Sequence, residues 1–148
     1  MSNNNTDTPV ESQINIWDDL NLKETLLRGI YSCGFEKPSE IQKKAILPII
    51  NGNDVIAQAQ SGTGKTGAFT ISALQCIDTE LNETQTIIIA PTRELSTQIF
   101  KVLNTISEFF TNLKTHLLVG GTSVQTDIDT LTNNKPHVVV GCSGRIFD

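Results

Sequence analysis

Residues 54–66 read Asp-Val-Ile-Ala-Gln-Ala-Gln-Ser-Gly-Thr-Gly-Lys-Thr, and the stretch 68–77 that follows is amphipathic. An apolar run, a glycine-rich turn and a helix, in that order, make a phosphate-binding loop in the strand-to-helix setting it requires. A turn rich in glycine lets successive backbone N–H groups point at phosphate oxygens, and the helix behind it aims its positive end at the same place. The candidate nucleotide-binding residues are therefore Ala59, Gln60, Ser61, Gly62, Thr63, Gly64, Lys65 and Thr66. Gly62 and Gly64 supply the tight backbone. Lys65 is expected to lie along the β- and γ-phosphates and the Thr66 hydroxyl to ligate magnesium, which makes these two the candidate catalytic residues. The first position is Ala59 where the pattern usually has glycine, but the Gly-Lys-Thr tail is intact. The competing reading is an ordinary glycine-rich turn with a solvated lysine.

Outward from the loop, apolar runs alternate with helical periodicity. Upstream, Leu22, Leu26, Leu27 and Ile30 share one face of a first helix, and Ile41, Ala45, Ile46, Ile49 and Ile50 one face of a second, which Pro48 kinks or shortens near its end. Residues 54–59 read as a strand, 64–77 as a helix, and 86–90 as a buried strand. Leu95, Ile99, Val102, Leu103, Ile106 and Phe110 mark a long helix. Strands are expected at 115–119 and 137–140, with a helix carrying Val124, Ile128 and Leu131 between them. Continuous apolar strands separated by helices predict an α/β fold of the P-loop kind, with a parallel sheet covered on both faces. Residues 1–15 are polar and without periodicity, and read as a disordered tail.

The 148 residues suffice for one domain with a real core, and no apolar run approaches the length of a membrane span. A soluble protein with no membrane partner is expected, in the cytoplasm. Cys33, Cys76 and Cys142 are odd in number and far apart, so neither a disulfide framework nor a zinc site is indicated. A net charge of −5 excludes capture of nucleic acid by a broad basic surface. Any RNA binding must be local, through backbone amides, helix ends and a few arginines.

Four further stretches carry chemistry. In Gly34-Phe35-Glu36-Lys37-Pro38-Ser39-Glu40-Ile41-Gln42, Ser39 and Gln42 make a capping box. Beside a phosphate site, an aromatic ring and the Gln42 amide are also what adenine recognition needs. Trp17 alone reads as a packing aromatic. In Pro91-Thr92-Arg93-Glu94-Leu95, Thr92 is a natural N-cap and Glu94 suits the positive helix end. Arg93 opposes that end, which requires either a nearby carboxylate or a phosphodiester to compensate it. Gly120-Gly121-Thr122 follows the 115–119 strand, where Thr122 and Gln125 read as a second capping box and the two glycines would admit a nucleic-acid backbone. Cys142-Ser143-Gly144-Arg145 ends the last strand with another arginine. Lys65, Arg93, the glycine pair and Arg145 are all expected at the carboxyl edge of the sheet, where ligands of such sheets bind.

In this order the motifs resemble those of DEAD-box RNA helicases, within them the translation initiation factor 4A subfamily, over residues 16–148. The resemblance implies an incomplete N-terminal RecA-like ATP-binding domain with its adenine-recognition motif at 34–42. It also implies ATP hydrolysis coupled to local RNA unwinding, with ATP and magnesium as cofactors. Trp17, Phe35 and Gln42 match the family's adenine-site positions. Pro91, Thr92, Arg93, Glu94, Gly120, Gly121, Gly144 and Arg145 match positions on the RNA sugar-phosphate backbone, so RNA is the implied partner, bound without regard to sequence, alongside translation-initiation proteins.

Two departures qualify this. The family's Thr-Pro-Gly-Arg appears as Cys142-Ser143-Gly144-Arg145, exchanging a hydroxyl donor for a weak thiol and losing a rigid proline. Nor do the 148 residues contain the family's Asp-Glu-Ala-Asp or Ser-Ala-Thr motifs, or a second domain. The family takes its arginine fingers from that domain, and a finger is worth roughly 10³–10⁵ in rate, so these residues alone are expected to be inactive. The resemblance places the strands of the two missing motifs between 54–59 and the rest of the sheet, so a gap is expected there. Two other readings are a non-catalytic nucleotide-binding module acting as a decoy or partner, and a small-molecule kinase. Against the kinase stands the lack of an acidic residue at the ends of 86–90 and 137–140.

Overall fold

The three strands expected after residue 85 form in the computed structural model, which describes residues 13–60, 62 and 64–147. β1 (Thr86–Ala90), β2 (Thr115–Leu118) and β3 (Val138–Cys142) make a parallel sheet in the order β1-β3-β2. Thr86 and Thr115 both stand opposite Val138. β3 is central, and its Val138-Val139-Val140 run is buried throughout, as an apolar strand flanked on both sides must be. Gly141 ends that run where β3 passes β2; a Cβ there would lie 2.4 Å from the Leu118 carbonyl oxygen, so no larger residue fits.

The strand expected at 54–59 does not form. A strand exists through a neighbour's ladder, and 54–59 has none among the described residues. Ile56 is 98% exposed, and the outer side of β1 leaves Ile87 and Ile89 open to solvent. The sheet is thus unpaired where the resemblance placed its gap.

The helices follow their apolar periods more closely. α1 (Glu24–Ser32) buries Leu26 and Ile30, α2 (Glu40–Ile50) Ala45 and Ile46, and α3 (Lys65–Cys76) Ala68, Ile71 and Leu74. α4 (Arg93–Ile106) buries Ile99, Leu103 and Ile106. Pro48 sits in the last turn of α2, which ends two residues later. At Gly29 a Cβ would lie 1.7 Å from the Ile106 carbonyl oxygen, so α1 meets the end of α4 backbone to backbone. These helices and β1 and β3 share one core with Ile14, Trp17 and Leu20. Ile14, at the end of the stretch read as a tail, is buried in this core, and residues 1–12 lie outside the described residues.

A 3-10 turn, Trp17–Leu20, carries the tryptophan into this core. Asp19 holds the turn by accepting from the N–H groups of Ile16 at 3.0 Å and Asn15 at 2.9 Å. Those two donors hold its carboxyl below the ordinary range, so its contribution is present above that range and is lost as pH falls through it.

α5 (Val124–Asp129) and a π-helical turn (Thr130–Asn134) depart from expectation. The N-cap is Ser123, whose hydroxyl accepts from Thr126 N–H at 3.4 Å, and not Thr122. Gln125 reaches forward to Asp129 instead of back. Val124 and Ile128 are exposed, and the buried residue of the helix is Asp127. α6 (Ser143–Phe147) closes the described chain. The three cysteines are free thiols, and among the described residues no helix is long and apolar enough to cross a membrane.

Candidate nucleotide and nucleic-acid site

The loop before α3 has the backbone that its glycines allow. Gly62 and Gly64 have φ of +82° and +94°, a region that a side chain disfavours. Gly64 is the N-cap of α3 and among the described residues no side chain caps the helix, which leaves the orphan N–H groups of its first turn for another acceptor. Lys65 folds back over the loop, its ammonium donating to the Ala59 carbonyl at 2.6 Å. That bond puts a cation beside the uncapped helix end, the arrangement that favours a phosphate. Thr66 is half-buried in the first turn of α3, and Gln60 is exposed. Ser61 and Thr63 lie outside the described residues.

The upstream motif is built onto the same loop. Ser39 and Gln42 form the expected capping box, with Gln42 N–H donating to the Ser39 hydroxyl at 3.4 Å and Ser39 N–H to Gln42 Oε1 at 2.8 Å. Gln42 Nε2 then donates to the Gly64 carbonyl at 3.2 Å. A Cβ on Gly64 or on Gly67 would lie 2.7 Å from that nitrogen, so both glycines are needed for the approach. Gln42 is 3% exposed, and without nucleotide both ends of its amide are committed within the protein. Trp17 is committed in the same way. It is fully buried and its indole N–H donates to the Phe35 carbonyl at 3.1 Å, so it supports Phe35 and offers no ring face to a ligand. Phe35 itself is half-buried.

A second cluster gathers at the ends of the strands. Thr92 caps α4 as expected, accepting from Leu95 N–H at 3.1 Å, and Pro91, Arg93 and Glu94 are exposed around it. Arg93 has no carboxylate partner among the described residues, which removes one of the two ways of compensating it. Its guanidinium reaches over the glycine turn, where a Cβ on Gly121 would lie 3.2 Å from Nη1. Gly120 and Gly144 face open space. Arg145 differs from Arg93. Its Nη2 donates to the Thr122 carbonyl and to the Thr122 hydroxyl, the latter at 3.2 Å. Its Nε lies 3.1 Å from Asp127 Oδ2, an ion pair by distance although the N–H is not aligned along it.

Sequence reasoning missed two members of this cluster. Asp127 Oδ1 is 3.0 Å from His116 Nε2, and Oδ2 accepts from the Thr122 hydroxyl at 3.3 Å. No local pattern marks either residue, because the partners are joined only by the fold.

A family model described as DEAD/DEAH box helicase matches residues 39–148, most of the chain. The chain belongs to the DEAD/DEAH box helicase family. It is similar to the ATP-dependent RNA helicase eIF4A of Pyricularia oryzae, with 54% identity over 138 residues, covering 93% of this chain and 34% of that protein. Among solved structures it is similar to a DEAD box protein from the hyperthermophile Methanococcus jannaschii, with a TM-score of 0.82, 34% identity, and 89% of this chain on 36% of that one. It is also similar to S. cerevisiae Dbp5 bound to RNA and ADP BeF3, with a TM-score of 0.77, 37% identity, and 90% of this chain on 33% of that one. This DEAD/DEAH box chain thus spans about a third of the length of these relatives. Its sequence motifs divide into two clusters: the loop with Gln42, and Arg93 with the glycine turn and Arg145.

Proposed function

We propose that the chain carries the ATP-binding surface and part of the RNA-binding surface of an ATP-dependent RNA helicase that unwinds duplexes locally. The observation that carries this reading is the start of α3, uncapped among the described residues, behind a loop with two positive-φ glycines and with Lys65 laid across it. Such a site takes a polyphosphate: backbone N–H groups and the helix dipole hold the oxygens, and the lysine follows the charge. On binding, Lys65 would exchange the Ala59 carbonyl for phosphate oxygens. Magnesium fits at Thr66, whose hydroxyl is the hard oxygen ligand this loop supplies; the ion would neutralise phosphate charge. Ser61 and Thr63 are assigned to the loop by the same reading. Phe35, propped by Trp17, is the aromatic left for adenine, and Gln42 ties the adenine side to the loop through Gly64.

Pro91, Thr92, Arg93, Glu94, Gly120, Gly121, Gly144 and Arg145 form the RNA side of the proposal. Its support is the exposed Arg93, without a carboxylate partner among the described residues, over a turn with no side chains, which suits a sugar-phosphate backbone and reads no base. The Pyricularia oryzae relative is named an ATP-dependent RNA helicase, and a cytoplasmic role with translation-initiation partners is proposed on that likeness. Binding without hydrolysis is the proposed behaviour of these 148 residues alone, since β1 and β3 end in Ala90 and Cys142 and neither can hold a metal-bound water as an acid would.

The RNA half is tested by fluorescence anisotropy of a labelled oligouridylate at several salt concentrations. Arg93→Ala is expected to weaken binding and to reduce the slope of log K against log salt by about 0.7, the value for one single-strand phosphate contact. Equal affinity and slope in both proteins would refute a phosphate contact at Arg93.

A further inference from the structure

The carboxylate of Asp127 joins three members of the second cluster, His116, Thr122 and Arg145, that come from three different parts of the chain. It is 6% exposed and comes from α5, yet it meets His116 on β2, Thr122 in the glycine turn and Arg145 on α6. One oxygen, Oδ2, serves both Thr122 and Arg145, at 3.3 Å and 3.1 Å. Arg145 in turn donates twice to Thr122, closing a triangle around the residue that follows Gly121. Gly121 has φ of +97° and lies directly under the Arg93 guanidinium. The position of the turn relative to Arg93 therefore depends on how Thr122 is held.

We propose that Asp127 is a positioning residue for the nucleic-acid surface: through Arg145 and Thr122 it sets the Gly120–Gly121 turn against Arg93, so that turn amides and guanidinium meet one strand backbone together. The inference rests on the RNA reading above and deepens it. A buried carboxylate beside a polyanion site is unfavourable by charge alone, because it repels phosphate. Its presence is accounted for by what it holds. Arg145 keeps donors beyond the Nη2 group that serves Thr122, since a guanidinium has five N–H groups, and the ion pair with Asp127 holds them in a fixed direction.

The sign of one substitution decides the matter. Asp127→Asn keeps the size and removes the charge. If the carboxylate were only a nearby charge, RNA affinity would rise. If it positions the turn, affinity falls, by about 10-fold, within the range for residues sharing one network. The experiment titrates a labelled oligouridylate with the 148-residue chain and with Asp127→Asn, Arg145→Ala and the double variant, and titrates a fluorescent ATP analogue in parallel. Expected are weaker RNA binding in Asp127→Asn, no further loss when it is added to Arg145→Ala, and unchanged affinity for the ATP analogue. A general loss of structure would lower both affinities. Should Asp127→Asn show no cooperative melt, Thr122→Val, which removes only the hydroxyl, carries the same comparison with an expected loss of about 3-fold. Unchanged or tighter RNA binding in Asp127→Asn, or losses that add to that of Arg145→Ala, overturn the proposal while leaving the RNA reading intact. No RNA binding by the unsubstituted chain overturns both.

Discussion

Trp17→Ala is expected to destabilise the chain by about 3–5 kcal/mol, the cost of truncating a fully buried large aromatic. Trp17 is entirely buried and shares the core with Ile14, Leu20, Leu26, Ile30 and Ile46. Its removal also strands the Phe35 carbonyl, which accepts from the indole N–H at 3.1 Å. A domain has only about 5–15 kcal/mol of stability in all, so a large part goes with this one residue. Trp17→Phe separates the two contributions, because it keeps most of the buried area and loses the hydrogen bond, at about 1–2 kcal/mol. Urea denaturation followed by circular dichroism measures both. An alanine variant within about 1 kcal/mol of the parent would mean that the 3-10 turn is not docked as described.

Lys65→Ala is expected to weaken Mg-ATP binding by about 30- to 150-fold, equivalent to the 2–3 kcal/mol of a hydrogen bond to a charged group. Folding should hardly change. In the absence of nucleotide the ammonium's one hydrogen bond among the described residues is to the Ala59 carbonyl, on a half-exposed loop, and losing that bond costs little. The combination of a large loss in binding with an unchanged melt identifies a ligand group, whereas a structural lysine would show the reverse. Equal affinity in parent and variant, measured by isothermal calorimetry, would remove the loop assignment.

Features set by neighbouring residues were legible in the sequence. Ser39 with Gln42 and Thr92 with Leu95 N–H need only residues three apart, and both caps formed. The periods of α1, α3 and α4 also carried through to burial, because a helix satisfies its own backbone. Residues 54–59 also carry an apolar run, Val55-Ile56-Ala57, but a strand depends on a neighbour, and none of the described residues supplies it. At α5 the Val124, Ile128 and Leu131 period pointed to the wrong face. The face was decided by Asp127, whose partners His116 and Arg145 lie 11 residues before it and 18 after it. At Thr122 and Ser123, adjacent hydroxyls competed for one cap; Thr122 was drawn to Asp127 and Val119, leaving Ser123 to cap.

For the candidate site, the loop residues were singled out in the sequence by their spacing, and Arg93 by its opposition to the helix dipole. The sequence did not reveal that Gln42 and Trp17 turn inward. Each residue type suits a ligand as well as a core, and the difference lies in Gly64, Gly67 and Phe35, which approach only once the chain has folded. Arg93 and Arg145 looked alike in sequence, each following a strand. Only the fold separates the exposed one from the one held by Asp127.

The central claim, that these residues fold into a site for Mg-ATP, is tested most directly by the thermal melt of the 148-residue chain with and without Mg-ATP. At a concentration on the order of 100 times Kd, binding to the folded state adds about 2.7 kcal/mol and should raise Tm by roughly 5–11 °C, with no such rise for Lys65→Ala. A melt that is cooperative but identical with and without Mg-ATP, in parent and variant alike, would contradict the account.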